Sequence, residues 1–203
     1  MVTHINNDGE FRILAAAETL FAQQDFDSVS LSQIAKQAGV SKANILHHFK
    51  SKSDLYGAIL KKACEDMTRL LEEMDSSSGH TKEQIPRYTR AHLKQLMRNS
   101  VITQLTLREL QKRGQRATVE IAKNTFAKNF SRLVQILKSS QEKGEIKEGV
   151  DPALVATLLI GSNVFFFQAH EFFNHFPDIV FADSPDRYCE NVANTILYGI
   201  LEE

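Results

Sequence analysis

The stretch Leu31-Ser-Gln-Ile-Ala-Lys-Gln-Ala-Gly-Val-Ser-Lys-Ala-Asn-Ile-Leu46 decides the fold. It supplies two short helices joined by a glycine-containing turn, the form of a helix-turn-helix. Ser30 and Gln33 stand at capping-box spacing ahead of the first helix, and Ser41 is placed to cap the second. Ala35 is small enough for the second helix to cross closely. Gly39 suits a turn that needs positive φ, and Ile34, Val40 and Ile45 supply the apolar contacts of the pair. The exposed side of the second helix then carries Lys42, Ala43, Asn44, Leu46 and His47, and its N-terminal end is the one that enters a major groove.

Outward from this stretch the apolar spacing stays helical. Leu14, Ala17, Leu20 and Phe21 form one stripe, and Val119, Phe126, Phe130, Leu133 and Leu137 form another. Helices are expected near 8 to 24, 31 to 38, 42 to 48, 52 to 74, 82 to 98, 101 to 112, 115 to 143, 151 to 173 and 185 to 201, with no strand. Asp151-Pro152 and Ser184-Pro185 each set a capping side chain before a first-turn proline. Thr81 and Gln84 repeat the capping-box spacing, with Pro86 blurring the start by a turn. The serine run 76 to 79, ending in Gly79, breaks the fourth helix from the fifth.

Charge is uneven along the 203 residues. The total is −1, which by itself gives no sign of a nucleic-acid or membrane partner. Residues 36 to 62, however, hold six lysines against Asp54 alone, a balance of +5 over the helix-turn-helix, and the rest of the chain carries −6. Cys64 and Cys189 are too few and too far apart for a disulfide scaffold or a zinc site, so a reducing, cytoplasmic setting is expected, with no metal and no cofactor. Met1 to Asn7 has no basic and apolar run of a secretory leader. The uncharged segment Pro152 to His170 nearly reaches the length of a membrane span. Thr157, Gly161, Ser162, Asn163 and Gln168 interrupt it and no basic cluster flanks it, so a buried helix and no membrane are expected.

The residues Leu20-Phe21, Phe26, Ser30, Ile34-Ala35, Ala38-Gly39-Val40-Ser41, His48-Phe49, Lys52 and Leu55 together resemble the signature of the TetR family of transcriptional regulators. The resemblance covers about 45 residues in order and spacing. It implies a nine-helix, all-α homodimer, with a DNA-binding helix-turn-helix domain over residues 1 to 51 and a regulatory, effector-binding and dimerisation domain over 52 to 203. Three positions depart from the pattern. Asp25 replaces a common glycine, which asks Asp to tolerate αL backbone. Leu46 replaces a common tyrosine, and Asn44 a small hydroxyl residue.

Roles follow from residue chemistry. Lys42, Lys50 and Lys52, the Ser30 hydroxyl and the N-terminus of the fourth helix near Ser51 are expected on phosphates. Ser41 and Ala43 complete the reading face, and His47 suits a phosphate or a base. Asn44 can pair with adenine N6 and N7 and Leu46 can pack on a thymine methyl, so an A/T-containing half-site is expected. His48 and Phe49 are expected to pack inside. Two-fold symmetry would then require a palindromic double-stranded operator.

In the regulatory part, the eighth helix is apolar all round. Leu159, Asn163, Phe166, Phe167 and His170 share one side, and Leu154, Leu158, Gly161, Phe165 and Phe172 the other. The first group, with Phe126, Phe130 and Leu133, is expected to line a pocket for a small apolar effector, although such a stripe also suits plain core. The second group, with Ala193, Ile196, Leu197 and Ile200 of the ninth helix, is expected at the subunit interface that the resemblance implies. Coupling would pass through the fourth helix. A regulator of the same fold working through a protein partner instead of an effector is the alternative. An enzyme is not expected: His170, Glu171 and His175 are the only close group of catalytic types, and their spacing does not put both imidazoles on one face.

Overall fold

The computed structural model describes residues 5–76, 79–111, 117–176 and 178–201. Among them lie nine helices: α1 (Ile5–Gln23), α2 (Leu31–Ala38), α3 (Lys42–His48), α4 (Lys52–Ser76), α5 (Thr81–Arg98), α6 (Ser100–Gln111), α7 (Ala117–Glu142), α8 (Pro152–Phe173) and α9 (Pro185–Ile200). Their bounds follow the apolar spacing closely. The expected helix end at 112 and start at 115, the Met1–His4 part of the leader question, and Ser77 and Ser78 of the serine break lie outside the described residues. β pairing among the described residues is confined to one antiparallel bridge between Ile146 and Leu201.

Caps set most helix ends. Ser30 Oγ accepts from Gln33 N while Gln33 Oε1 accepts from Ser30 N, a complete capping box on α2. Gly39 closes α2 at φ 65°, with its N–H directed to the Ala35 and Lys36 carbonyls; a side chain there would be strained. Asp151 and Ser184 cap α8 and α9 as the sequence suggests. The start of α5 differs. Thr81 and Gln84 do not cap each other: Glu145 reaches back from the α7–α8 connection and accepts from both Thr81 N and Thr81 Oγ at 2.7 Å, while Gln84 Nε2 donates to the Met74 carbonyl. A carboxylate offsets a helix N-terminus better than a neutral amide does, which favours the long-range cap. Asp25 also differs from expectation, since among the described residues no non-glycine has positive φ. The turn closes instead through Ser28 N to the Asp25 carbonyl at 3.0 Å.

The chain forms two compact units, Met1–Cys64 with Asn99–Thr125, and Glu65–Arg98 with Phe126–Glu203. This packing boundary does not fall after residue 51. The first half of α4 and the whole of α6 belong with the helix-turn-helix, because Leu55, Tyr56, Ile59, Leu60, Ile102 and Leu105 fill the same core as Ile13, Phe21, Ile34 and Ile45. Tyr56 anchors it, edge-on to Phe21 at 4.8 Å and to Phe26 at 5.1 Å. In the second unit Leu71, Leu133, Leu137, Val155, Leu159 and Ala193 form one core. Leu93, Phe166 and Cys189 form a smaller one beside it.

Candidate nucleic-acid interface

α3 is held by its apolar side. Ile45 is fully buried and Phe49, just beyond the helix, nearly so. Ser41 Oγ accepts from Asn44 N at 3.1 Å, which leaves the hydroxyl proton free to be donated outward. Lys42, Ala43, Leu46 and His47 are exposed, as are Ser41, Lys50 and, on α2, Lys36. Phe49 packs inside as expected, in one core with Leu55 and Tyr56, while His48 is only half-buried, its Nε2 3.7 Å from where a Cβ on Gly9 of α1 would lie. The result is a short helix presenting a cationic and apolar face from a rigid support, which is the form of a major-groove reader.

Three residues placed on that interface by spacing are engaged elsewhere. The Ser30 hydroxyl lies 2.7 Å from Gln33 Oε1 and spends its single proton in the capping box. Asn44 turns its Oδ1 inward, where it is buried with no hydrogen-bond partner among the described residues, and a Cβ built on Gly9 of α1 would lie 3.7 Å from it. Bidentate adenine recognition needs both amide atoms on the groove side, and one is hidden here. Lys52 is the third. Its Nζ donates to the Phe26 and Val29 carbonyls, each at 2.7 Å, and lies 4.3 Å from the centre of the Phe26 ring. Near Ser51, the α4 terminus is already capped: Ser51 Oγ accepts from Asp54 N, and Asp54 Oδ2 accepts from Lys50 N.

Other supporting residues escape a sequence reading. Arg108 of α6 donates to the Phe21 carbonyl at 3.4 Å and pairs with Asp25 at 3.6 Å, fastening the end of α1. Its partners lie more than eighty positions away, so no local spacing signals the contact.

In the second unit the two sides of α8 separate cleanly. Leu159, Asn163, Phe166 and Phe167 are buried, whereas Leu154, Leu158, Phe165 and Phe172 are each at least half exposed, with Gly161 exposed among them. By length and composition α8 could cross a membrane, yet Val155, Ala156 and Leu159 belong to the unit's core. The ninth helix corrects its expectation. Ala193, Leu197 and Ile200 are buried in their own chain's core and Ile196 packs against it, leaving Asn191, Asn194, Thr195 and Tyr198 on the outside. Among the proposed pocket residues Leu133 is buried, Phe130 half-buried and Phe126 exposed, the last two rings stacked at 6.4 Å. His170 Nδ1 bonds to its own helix at the Phe167 carbonyl, 3.0 Å away.

A buried polar group crosses this unit. Asn163 Nδ2 donates to the Thr89 carbonyl at 2.9 Å and meets His92 Nδ1 at 3.2 Å, while Asn163 Oδ1 is buried with no partner among the described residues. Phe166 stacks on Tyr188 at 4.1 Å, and Tyr188 donates its hydroxyl proton to the Ser162 carbonyl. Burial lowers the His92 pKa to about 4 and raises the Cys189 thiol to about 11, so both are neutral near pH 7. Among the described residues no group of three or more His, Cys, Asp or Glu side chains is placed to hold a metal ion.

Residues 13–59 match the family model for bacterial regulatory proteins of the tetR family. The fatty acid metabolism regulator protein of Bacillus subtilis is 29% identical over 157 residues, 74% of this chain and 77% of that protein. A transcriptional regulator FadR from Bacillus subtilis, solved in complex with stearoyl-CoA, shares the fold with a TM-score of 0.71 at 23% identity, covering 94% of this chain and 98% of that one. The transcriptional regulatory protein RaaS of Mycobacterium tuberculosis is 30% identical over 165 residues, 79% of this chain and 72% of that protein. With its helix-turn-helix exposed on a capped and packed support, the chain belongs to the TetR family of DNA-binding transcriptional regulators.

Proposed function

We propose that the protein is a repressor that sits as a homodimer on a palindromic operator and leaves it when a small, largely apolar effector binds the second unit. DNA reading falls to residues 1 to 51, with Lys42, Lys50 and the Ser41 hydroxyl on phosphates and Ala43, Leu46 and His47 facing bases. Regulation falls to the second compact unit, Glu65–Arg98 with Phe126–Glu203. Leu154, Leu158, Gly161, Phe165 and Phe172 of α8 meet the second subunit, since exposed apolar area of this extent on one helix marks an interaction site. Leu133, Asn163, Phe166 and Phe167 line the effector site, with Phe130 at its edge.

The observation that carries the effector reading is Asn163: its amide nitrogen is held by the Thr89 carbonyl and His92, while its acceptor oxygen is buried with no partner among the described residues, and a fixed polar group of this kind is what a mostly apolar ligand site presents. The stearoyl-CoA complex of the Bacillus subtilis regulator gives the ligand class to try first. The effector would work by preferring a placement of the reading heads that the operator does not accept.

Selection of bound fragments from the source genome tests both parts. A shared inverted repeat is expected, and stearoyl-CoA, or failing that a panel of uncharged apolar compounds, is expected to release the fragment in a mobility-shift assay. Recovery of fragments with no common element rejects the operator. Retention through the whole panel favours the protein-partner alternative.

A further inference from the structure

We infer that Lys52 is a positioning residue of DNA recognition: it holds the α1–α2 turn against the start of α4, and with it the seat of the recognition helix, and does not contact a phosphate. A cation in the first turn of a helix opposes the helix dipole, so its presence there calls for another partner. Lys52 finds two, the Phe26 and Val29 carbonyls at 2.7 Å, with the Phe26 ring face 4.3 Å below the ammonium. Two of its three N–H donors are thereby committed. Phe26 is itself buried, stacked on Phe21 at 5.7 Å and edge-on to Tyr56 at 5.1 Å.

The clamp lies at a sensitive place. Val29 is immediately followed by Ser30, whose capping box begins α2, and α2 packs directly on α3. Fixing the Phe26 and Val29 carbonyls therefore fixes where α2 starts and, through it, the tilt of α3. For Lys52 to reach a phosphate, both short hydrogen bonds and the ring contact would have to break.

Salt dependence separates the two roles, because each phosphate contact adds about 0.9 to the slope of log affinity against log salt, whereas a residue that only positions others adds nothing. Lys52→Met is expected to weaken binding to a genomically selected fragment about tenfold, the loss of roughly one charged hydrogen bond's effect. Its slope, on that fragment and on an unrelated duplex of equal length, is expected to match the unmodified chain. Lys52→Arg, which can still donate to two carbonyls and stack on Phe26, is expected to recover most of the affinity. A slope lower by about 0.9 makes Lys52 a phosphate contact and overturns the inference. Unchanged affinity overturns it as well.

Acetylation of the unmodified chain, read lysine by lysine by mass spectrometry, decides the matter without a variant that must fold. Lys52 is expected to react slowly with and without DNA, while Lys42 and Lys50 react quickly and become protected by DNA. Lys52 reacting as fast as Lys42 in the free chain rejects the clamp. That measurement needs no operator, so a failure to find one leaves it intact.

Discussion

The side-chain amide of Asn163 on α8 donates to Nδ1 of His92 on α5, 3.2 Å away. The orientation is fixed because the same nitrogen faces the Thr89 carbonyl, which can only accept. His92 Nδ1 is therefore an acceptor, and its ring proton sits on Nε2. Protonating Nδ1 would set one N–H against another in a poorly solvated place.

A pH dependence follows. Burial brings the His92 pKa in the fold to about 4, below the unfolded value of about 6.5. Between these values the unfolded chain binds more protons than the folded one, so stability is complete above about pH 6.5, declines as the pH falls, and levels off below about 4. The loss is at most about 3 kcal/mol. Urea unfolding at a series of pH values measures it, and His92→Phe, which keeps the stack on Tyr88, is expected to flatten this limb. Parallel curves for the two proteins would reject the assignment. Glu145 acts in a lower window: the Thr81 N–H holds its carboxyl below the ordinary value, so its cap on α5 fails only as the pH falls further.

Lys42 stands exposed at the first turn of α3. Its replacement by alanine is expected to weaken binding to every duplex by a similar factor and to lower the salt slope by about 0.9. Titrations of one selected and one unrelated fragment at several salt concentrations read both quantities. A loss confined to the selected fragment would make Lys42 a base contact.

Asn44 is expected to behave otherwise. With Oδ1 buried against α1 it cannot offer both amide atoms to an adenine, so Asn44→Ala is expected to leave the base preference unchanged in a binding-site selection. Removing an unpartnered buried acceptor also relieves a desolvation cost, and stability is expected to stay level or rise by about 1 kcal/mol. A relaxed preference at one position of the half-site would restore the reading role.

Local chemistry made much of this molecule legible. Ser30 with Gln33, Gly39, Ser41, Asp151-Pro152 and Ser184-Pro185 state helix ends within a few residues of themselves, and each behaves as spacing suggests. Two of the misreadings come from a partner distant in the chain, whereas the Ser30 hydroxyl is taken by Gln33 only three positions on. Lys52 bonds 26 and 23 positions upstream, and Glu145 caps a helix 64 positions away. Helical periodicity likewise shows that Ala193, Leu197 and Ile200 form one apolar face but is silent on whether that face meets its own chain or another. Periodicity divides α8 into two sides, and its packing against α5 and α9 shows which of them the chain itself buries.

That separation yields a contrast between two leucines. Leu158 on α8 is half exposed and Leu197 on α9 is buried. Leu158→Glu puts a charge into the proposed subunit interface, where it would have no partner, and is expected to convert a dimeric sedimentation mass to a monomeric one with helix content retained. Leu197→Ala opens a cavity in the chain's own core and is expected to cost about 2 to 5 kcal/mol of stability while the mass stays dimeric. If Leu158→Glu remained dimeric and Leu197→Ala dissociated, the interface would have to move from α8 to the face of α9.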